Sequence, residues 1–421
     1  ILQAMYGAVD LMIVGQFGTT TGLSGISTGS NIMNMATFVV AGLAMAVTVQ
    51  ISKYIGMQKH ERIGRLIGCT IALFSIISIV LSVLLIAFAR PFAQLMQAPE
   101  EALDLTVQYI RICGTGFLLI TAYNTISSVF RGMGDSKSPL YFLIISAGIN
   151  VVLDIVLIRF VGMGVEGCAY ATVIAQGVSA VCCLVYIKKK YPILHLEKKN
   201  FELRKGSMSK LLILGIPMGL QFSITAIGTI IVQSAVNIYG ATYMAGFSAA
   251  GKIQNVIGMV AVSMGATIAT YVGQNRGAGR MDRVKLGVKY SWIMILIWSA
   301  IEMILVYFGG KYFTYLFINP SQTDVIDVSV TYFRTVFWAY PFLSTIFVFR
   351  NALQGMGYGL VPMLGGVFEL VARTAIVVFV AGKTTFAGVC LADPMAWIAA
   401  LIPLIPYYYY IMKKTAYKSN C

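Results

Sequence analysis

Asn150 and Asp154 interrupt an apolar run that reaches from Leu140 to Val161. Four residues apart on a helix, they share one face. A run of about twenty apolar residues is long enough to cross a hydrocarbon core, which places the Asp154 carboxylate inside a bilayer rather than in water. Its insertion cost, about 2.5–3.5 kcal/mol at a helix centre, demands partners, and a carboxylate at such a place is a functional-site hypothesis by default. The chain offers depth-matched partners. Asp154 precedes the turn residue Gly162 by eight positions, Thr172 follows Gly164 by eight, and Asp10 precedes Gly18 by eight. If the three glycines mark one membrane surface, the three side chains lie at one depth, roughly 12 Å in, with Asn150 one turn deeper. Two carboxylates in one site repel each other, so one of them holds a proton unless a cation sits between them. Lys252, Glu302, Glu369 and Arg373 also fall inside apolar segments and read as structural pairs or cleft-lining charges. Glu369 stands one turn before Arg373 and can pair with it.

These residues must be held by membrane-spanning helices. The 421 residues are 58% hydrophobic and 11% charged, with a mean hydropathy of +0.80; an ordinary soluble protein carries about 25% charged residues. A net charge of +15 would suggest nucleic acid in a soluble chain, but the distribution of the basic residues excludes that partner. They gather in alternate connections: Lys53 to Arg65, Arg131 to Lys137, Lys188 to Lys210, Arg276 to Lys289, Arg350, and Lys413 to Lys418. The intervening connections carry Glu100, Glu101, Asp104, Glu166, Asp324, Asp327 and Asp393. By the positive-inside rule the basic connections are cytoplasmic, which predicts a multi-pass protein of the inner cell membrane.

Gly, Pro and charge clusters cut the chain into about twelve spans. An even number puts both termini in the cytoplasm. The start, Ile1 to Gly15, shows no basic n-region of a cleavable signal and reads as the second half of a truncated first span. The expected organisation is an all-α polytopic protein with a six-helix lobe over residues 1–187, a cytoplasmic amphipathic linker over 188–208 lying along the membrane surface, and a second six-helix lobe over 209–421.

The two lobes are copies. Arg131, Gly132, Met133, Gly134 and Pro139 recur as Gln354, Gly355, Met356, Gly357 and Pro362, an offset of 354 minus 131, or 223. Tyr54 and Gly56 recur as Tyr271 and Gly273, Gly29 as Gly251, and Gly164 with Val165 as Gly388 with Val389. Offsets held within a few residues across each half mean duplication. With six spans each, the copies point the same way and are related by an axis along the membrane normal.

Other motifs have plain readings. Gly162, Gly164 and Gly167 spell G-x-G-x-x-G, yet they join two apolar helices with no preceding strand, so they form turns and not a dinucleotide site. Gly382, Lys383 and Thr384 mimic the end of a P-loop, but Val377 stands where its first glycine belongs. No nucleotide engine is therefore expected. The seven cysteines fall mostly in apolar runs without ligand spacing and serve packing. Gly22, Gly25 and Gly29 permit close helix approach, and Tyr407 to Tyr410 before Lys413 and Lys414 form an interfacial aromatic belt.

Asp10 followed by Val14, Gly15 and Gly18, the Arg131 to Pro139 loop, Asn150 with Asp154, and Gly273, Gln274, Asn275, Gly277 and Gly279 together resemble the multidrug and toxic compound extrusion (MATE) family, over nearly the whole chain. The resemblance implies two six-helix lobes around a central cleft, exporting organic, often cationic small molecules in exchange for sodium ions or protons, with no other cofactor. It also implies a first-lobe cation site made of Asp10, Asn150, Asp154 and Thr172. Some branches carry a second-lobe site, whose positions here are Thr225 and Leu343, and its absence is expected. The duplication agrees: the four first-lobe site residues map onto Val232, Arg373, Val377 and Ala396.

Two rival functions follow from the same residues. Lys252 and Arg373 within spans would suit a flippase of anionic lipid-linked precursors, a relative in the same larger superfamily. An intramembrane enzyme would need a nucleophile and base or metal ligands at one depth. No span contains a His, which leaves only an Asp dyad for it.

Overall fold

The computed structural model describes residues 13–14, 19–96, 98–190, 205–380 and 385–419. The chain is an all-helical membrane protein. Among the described residues ten helices are long and apolar enough to cross a membrane, and an eleventh span is a bent pair. The first expected span lies mostly outside the described residues, although Ile13 and Val14 are buried in the core of the first unit. The chain divides into two compact units, residues 1–215 and 216–421.

In the first unit, α1 (Thr20–Gly56), α2 (His60–Ala87) and the short α3 (Ala89–Leu95) precede the bent pair α4 (Glu100–Thr115) and α5 (Phe117–Met133), whose axes turn by 54° at Gly116. Then come α6 (Lys137–Asp154), which continues as a π-turn over Ile155–Phe160, and α7 (Gly164–Lys190). Small residues set the spacing, as the sequence led us to expect. A Cβ on Gly29 would stand 2.6 Å from Tyr109 Cδ1, and one on Gly25 3.1 Å from Leu105 Cβ, so α1 and α4 pack nearly backbone to side chain.

In the second unit α8 (Lys205–Asn237), whose first turns belong to the first unit, leads to α9 (Ala241–Gly277) and α10 (Met281–Thr314). A broken span follows: α11 (Thr323–Val336), a 3-10 turn over Phe337–Ala339, and α12 (Tyr340–Gly355). The unit ends with α13 (Leu360–Val380), α14 (Phe386–Cys390) and α15 (Ala392–Ser419). The fourth span of each half is thus broken at corresponding places, Gly116 and Phe337–Ala339.

The duplication is written in the backbone as well. Gly134 and Gly357 end matching helices with φ of 87° and 83°, a left-handed conformation that glycine adopts without steric cost. Gly132 and Gly355 both sit where a Cβ would strike a neighbouring backbone carbonyl, at 2.9 Å from Thr48 O and 2.6 Å from Ala269 O. Gly162 and Gly164, with φ of 78° and 57°, make the turn between α6 and α7. In the tyrosine run the expected belt is only half present: Tyr409 and Tyr410 are exposed, while Tyr408 is buried against Phe349 at 5.1 Å.

Candidate functional site

Helix α6 inverts the usual amphipathic pattern. Its buried residues are Ser138, Pro139, Ser146, Asn150 and Asp154, whereas Leu140, Tyr141, Ile144, Ile145 and Val152 are exposed. Ser146, Asn150 and Asp154 recur every four residues and form one polar stripe. In water such a helix would be turned inside out; in lipid, apolar residues face outward and the polar stripe must find protein. The Ser146 hydroxyl donates to Ala175 O at 3.0 Å, and the Ser179 hydroxyl donates to Phe142 O at 3.1 Å. These two bonds fix the antiparallel register of α6 on α7.

Counting from Ser146 opposite Ala175, Thr172 comes level with Asn150 and not with Asp154. The equal depth of Asp154 and Thr172 expected from the turn glycines therefore differs from the structure by about one turn. The π-turn that begins directly after Asp154 contributes part of this difference: Val161 N–H bonds to Val156 O at 3.0 Å, spanning five residues, so this segment advances less per residue than an α-helix. Single π-turns inside helices accompany functional sites.

Asp154 is fully buried and Asn150 is 1% exposed. Both side-chain atoms of Asn150, the Thr172 hydroxyl and Gln176 Oε1 are buried without a hydrogen-bond partner among the described residues. Buried polar groups are normally satisfied, so this concentration on two facing helices marks a place for something polar. Gln176, one turn beyond Thr172, was not singled out from sequence; its signal was the four-residue spacing itself. Asp10 lies outside the described residues. The residues present fit a small hard cation or a proton, since they supply carboxylate, amide and hydroxyl oxygens.

The other charges behave differently. Arg350 of α12 pairs with Glu369 of α13; Arg373 Nη1 lies 3.6 Å from Glu369 Oε2, and Arg373 Nε donates to Asp393 Oδ1 at 3.1 Å. The Tyr332 hydroxyl donates to Asp393 Oδ2 at 3.1 Å and also approaches Gln254 Oε1. Two guanidinium groups and two carboxylates thus compensate one another in the second unit. Glu369 and Arg373 are thus ion-paired in the structure, and two further readings are corrected. Arg350 is not a loop cation but a buried helical one, 9% exposed, and Asp393 opens α15 instead of lying free in a connection. Gly228 leaves room for the Arg373 side chain, whose Nη1 would be 3.0 Å from an added Cβ. Lys252 is exposed and lies over the Phe317 ring at 5.9 Å. Glu302 is buried at 1% exposure and has no ion pair among the described residues. At the positions of the second-lobe site of other branches, the Thr225 hydroxyl bonds to Gln221 O of its own helix and Leu343 packs against the core.

A duplicated helical bundle with a buried polar stripe and broken spans is the architecture of a secondary membrane transporter. The MatE family model matches residues 1–156 and 217–380, and the chain belongs to the MATE family of transporters. It is 26% identical over 425 residues to the probable multidrug resistance protein YoeA of Bacillus subtilis, covering 98% of this chain and 91% of that one. It is 27% identical over 356 residues to the probable multidrug resistance protein YpnP of the same organism, covering 85% and 79%. Among solved structures, a MATE crystal structure in the bent conformation superposes with a TM-score of 0.92 at 19% identity, covering 100% of this chain and 94% of that one.

Proposed function

We propose that the chain is a secondary active exporter of organic, often cationic compounds, driven by inward movement of sodium ions or protons and working by alternating access. The observation that carries this reading is the α6 stripe, where Asp154 and Asn150 stand buried beside the unsatisfied Thr172 hydroxyl. A ligand shifts a conformational equilibrium only through unequal affinity for the two states. Neutralising Asp154, with Asp10 as its partner, supplies that inequality: the charge is tolerable in a hydrated state and costly in a closed one.

In this reading the chain lies in the inner membrane with both termini in the cytoplasm. Its substrates are organic small molecules, and neither nucleic acid nor nucleotide takes part. The flippase alternative rested on cations exposed to an anionic headgroup. It loses Arg373, which two carboxylates neutralise.

The test is efflux of a fluorescent organic cation from proteoliposomes with sodium and proton gradients imposed separately. One gradient should drive export, and Asp154→Asn should abolish the driven part while the protein stays folded. Equal efflux with and without both gradients, or an undiminished response in Asp154→Asn, would overturn the assignment.

A further inference from the structure

Glu302 is used by none of the chemistry above. It is 1% exposed, and its Oε1, the Tyr340 hydroxyl and Trp298 Nε1 are three buried polar atoms with no hydrogen-bond partner among the described residues. Trp298 precedes Glu302 by one turn of α10 and therefore shares its face. The register across α10 and the fourth span of this unit shows what Glu302 meets. Gly310 packs on Phe333, with an added Cβ only 2.7 Å from its ring. In an antiparallel pair, eight residues back from Gly310 stands opposite eight residues on from Phe333. Glu302 therefore faces the 3-10 turn Phe337–Ala339 and the start of α12 at Tyr340 and Pro341. Pro341 has no N–H to give Phe337 O, which accepts instead from the Tyr340 N–H and keeps its second lone pair for another donor.

The first half shows how such a break is completed. There the Ser82 hydroxyl of α2 donates to Gly114 O at 2.6 Å, beside the break at Gly116. Glu302 stands at nearly the same level of the third span in the second half, since 302 minus 82 is 220, close to the 223 of the loop motif. A hydroxyl donates to a carbonyl; a carboxylate only accepts, and a carboxylic acid regains the donor. The charged groups on the surrounding helices do not compensate an ionised Glu302. Arg350 and Arg373 are held by Glu369 and Asp393. Lys252 of α9 leans over Phe317, and Tyr332 of α11 is bound to Asp393. Tyr340 of α12, at the level of Glu302, carries no cation, and its buried hydroxyl has no hydrogen-bond partner among the described residues.

We propose that Glu302 is a proton-binding site of the second unit: in this conformation it is a neutral acid whose O–H serves the broken fourth span, as the Ser82 hydroxyl does in the first. Its proton is taken from water and returned to water when the break hydrates. The site is separate from Asp154 and does not rest on the coupling read there.

The full chain in lipid nanodiscs, titrated by infrared spectroscopy, tests this. At neutral pH, where exposed carboxylates are ionised, the wild type should keep a carboxylic acid C=O band that shifts in heavy water. Asp154→Asn, which removes one acid of the first-unit pair, should retain a band, and adding Glu302→Gln to either the wild type or Asp154→Asn should lower it by one carboxylic acid and bind one proton fewer per chain. Should Glu302→Gln fail to accumulate, Glu302→Ser restores the hydroxyl of the first half and should fold with the band lowered in the same way. A band undiminished by the Glu302 substitutions, in the wild type and in Asp154→Asn alike, or one missing from the wild type, overturns the proposal. Loss of gradient coupling in Asp154→Asn is read separately, by efflux, so failure of either idea leaves the other standing.

Discussion

Replacing Glu369 by glutamine tests the buried ion network directly. Among the described residues Glu369 is the one carboxylate paired with Arg350, whose side chain is 11% exposed, while that of Glu369 is 4% exposed. Arg373 loses one of its two carboxylates but keeps Asp393 at 3.1 Å. The variant thus leaves one buried guanidinium uncompensated, with an amide N–H₂ able to point a donor at a donor. Breaking a buried pair from one side costs about 3–5 kcal/mol, two to nearly four orders of magnitude in the folding equilibrium at about 1.4 kcal/mol per tenfold. The structure also predicts a rescue. Arg350→Met with Glu369→Leu removes one positive and one negative charge and leaves Arg373 balanced by Asp393. The double variant should therefore recover at least about 2 kcal/mol relative to Glu369→Gln, because replacing a whole buried pair by apolar groups is often neutral. Unfolding titrations in mixed micelles measure both. A Glu369→Gln loss within about 0.5 kcal/mol of zero, or a double variant as unstable as the sum of its parts, would refute the assignment of these groups as one network.

Three further outcomes are expected. If Asp10 and Asp154 act as one site, Asp10→Asn and Asp154→Asn should each cost nearly as much coupled efflux as both together; additive losses in the double variant would separate them. Thr225→Val should leave cation coupling unchanged in the same efflux assay, because its hydroxyl already serves Gln221 O, and a loss comparable to Asp154→Asn would restore a second-unit site. Gly116→Ala places a Cβ 2.3 Å from Val173 Cγ1, next to Thr172. It should cost about 1–3 kcal/mol by overpacking and be rescued in unfolding titrations by Val173→Ala; an unrescued loss would assign the effect to the break itself.

Much of this was legible in the residues. Spans, turns and the duplication follow from apolar length, glycine positions and a repeat offset, which are properties of the chain alone. The Asn150 and Asp154 stripe was legible because four-residue spacing survives any helix packing. What escaped depended on departures from ideal helices. The depth of Thr172 assumed a constant rise, and the π-turn after Asp154 broke that assumption. Arg350 and Asp393 stand close to helix ends, where a charge in sequence looks like a loop charge, and only packing shows that Glu369 and Arg373 reach them. The Glu302 environment required knowing that the fourth span breaks at Phe337–Ala339, and no glycine signals that break as Gly116 does in the first half. Asp10, most of the 188–208 linker and Gly382 to Thr384 lie outside the described residues.

The contrast between the halves bears on where coupling resides. The same offset that matches Gly134 to Gly357 carries Asn150 onto Arg373, and Val377 stands where Asp154 would recur. In the second half, then, Glu369 and Asp393 have resident cations, covalently part of the chain, that cannot leave. Such a network holds packing in place but cannot exchange its charge with either side of a membrane. An exchangeable charge needs a carboxylate whose cation arrives and departs, and on the proposed reading Asp154 is that group. Moving one such charge across a membrane potential is worth about 2.3 kcal/mol per 100 mV, enough to sustain roughly a fifty-fold gradient of a neutral substrate at about 1.4 kcal/mol per tenfold. Duplication supplied two equal frames. On the proposed reading, the arginine that stands in one frame where the other has asparagine holds Glu369 and Asp393 in place, and the exchange of a coupling ion falls to Asp154 in the other.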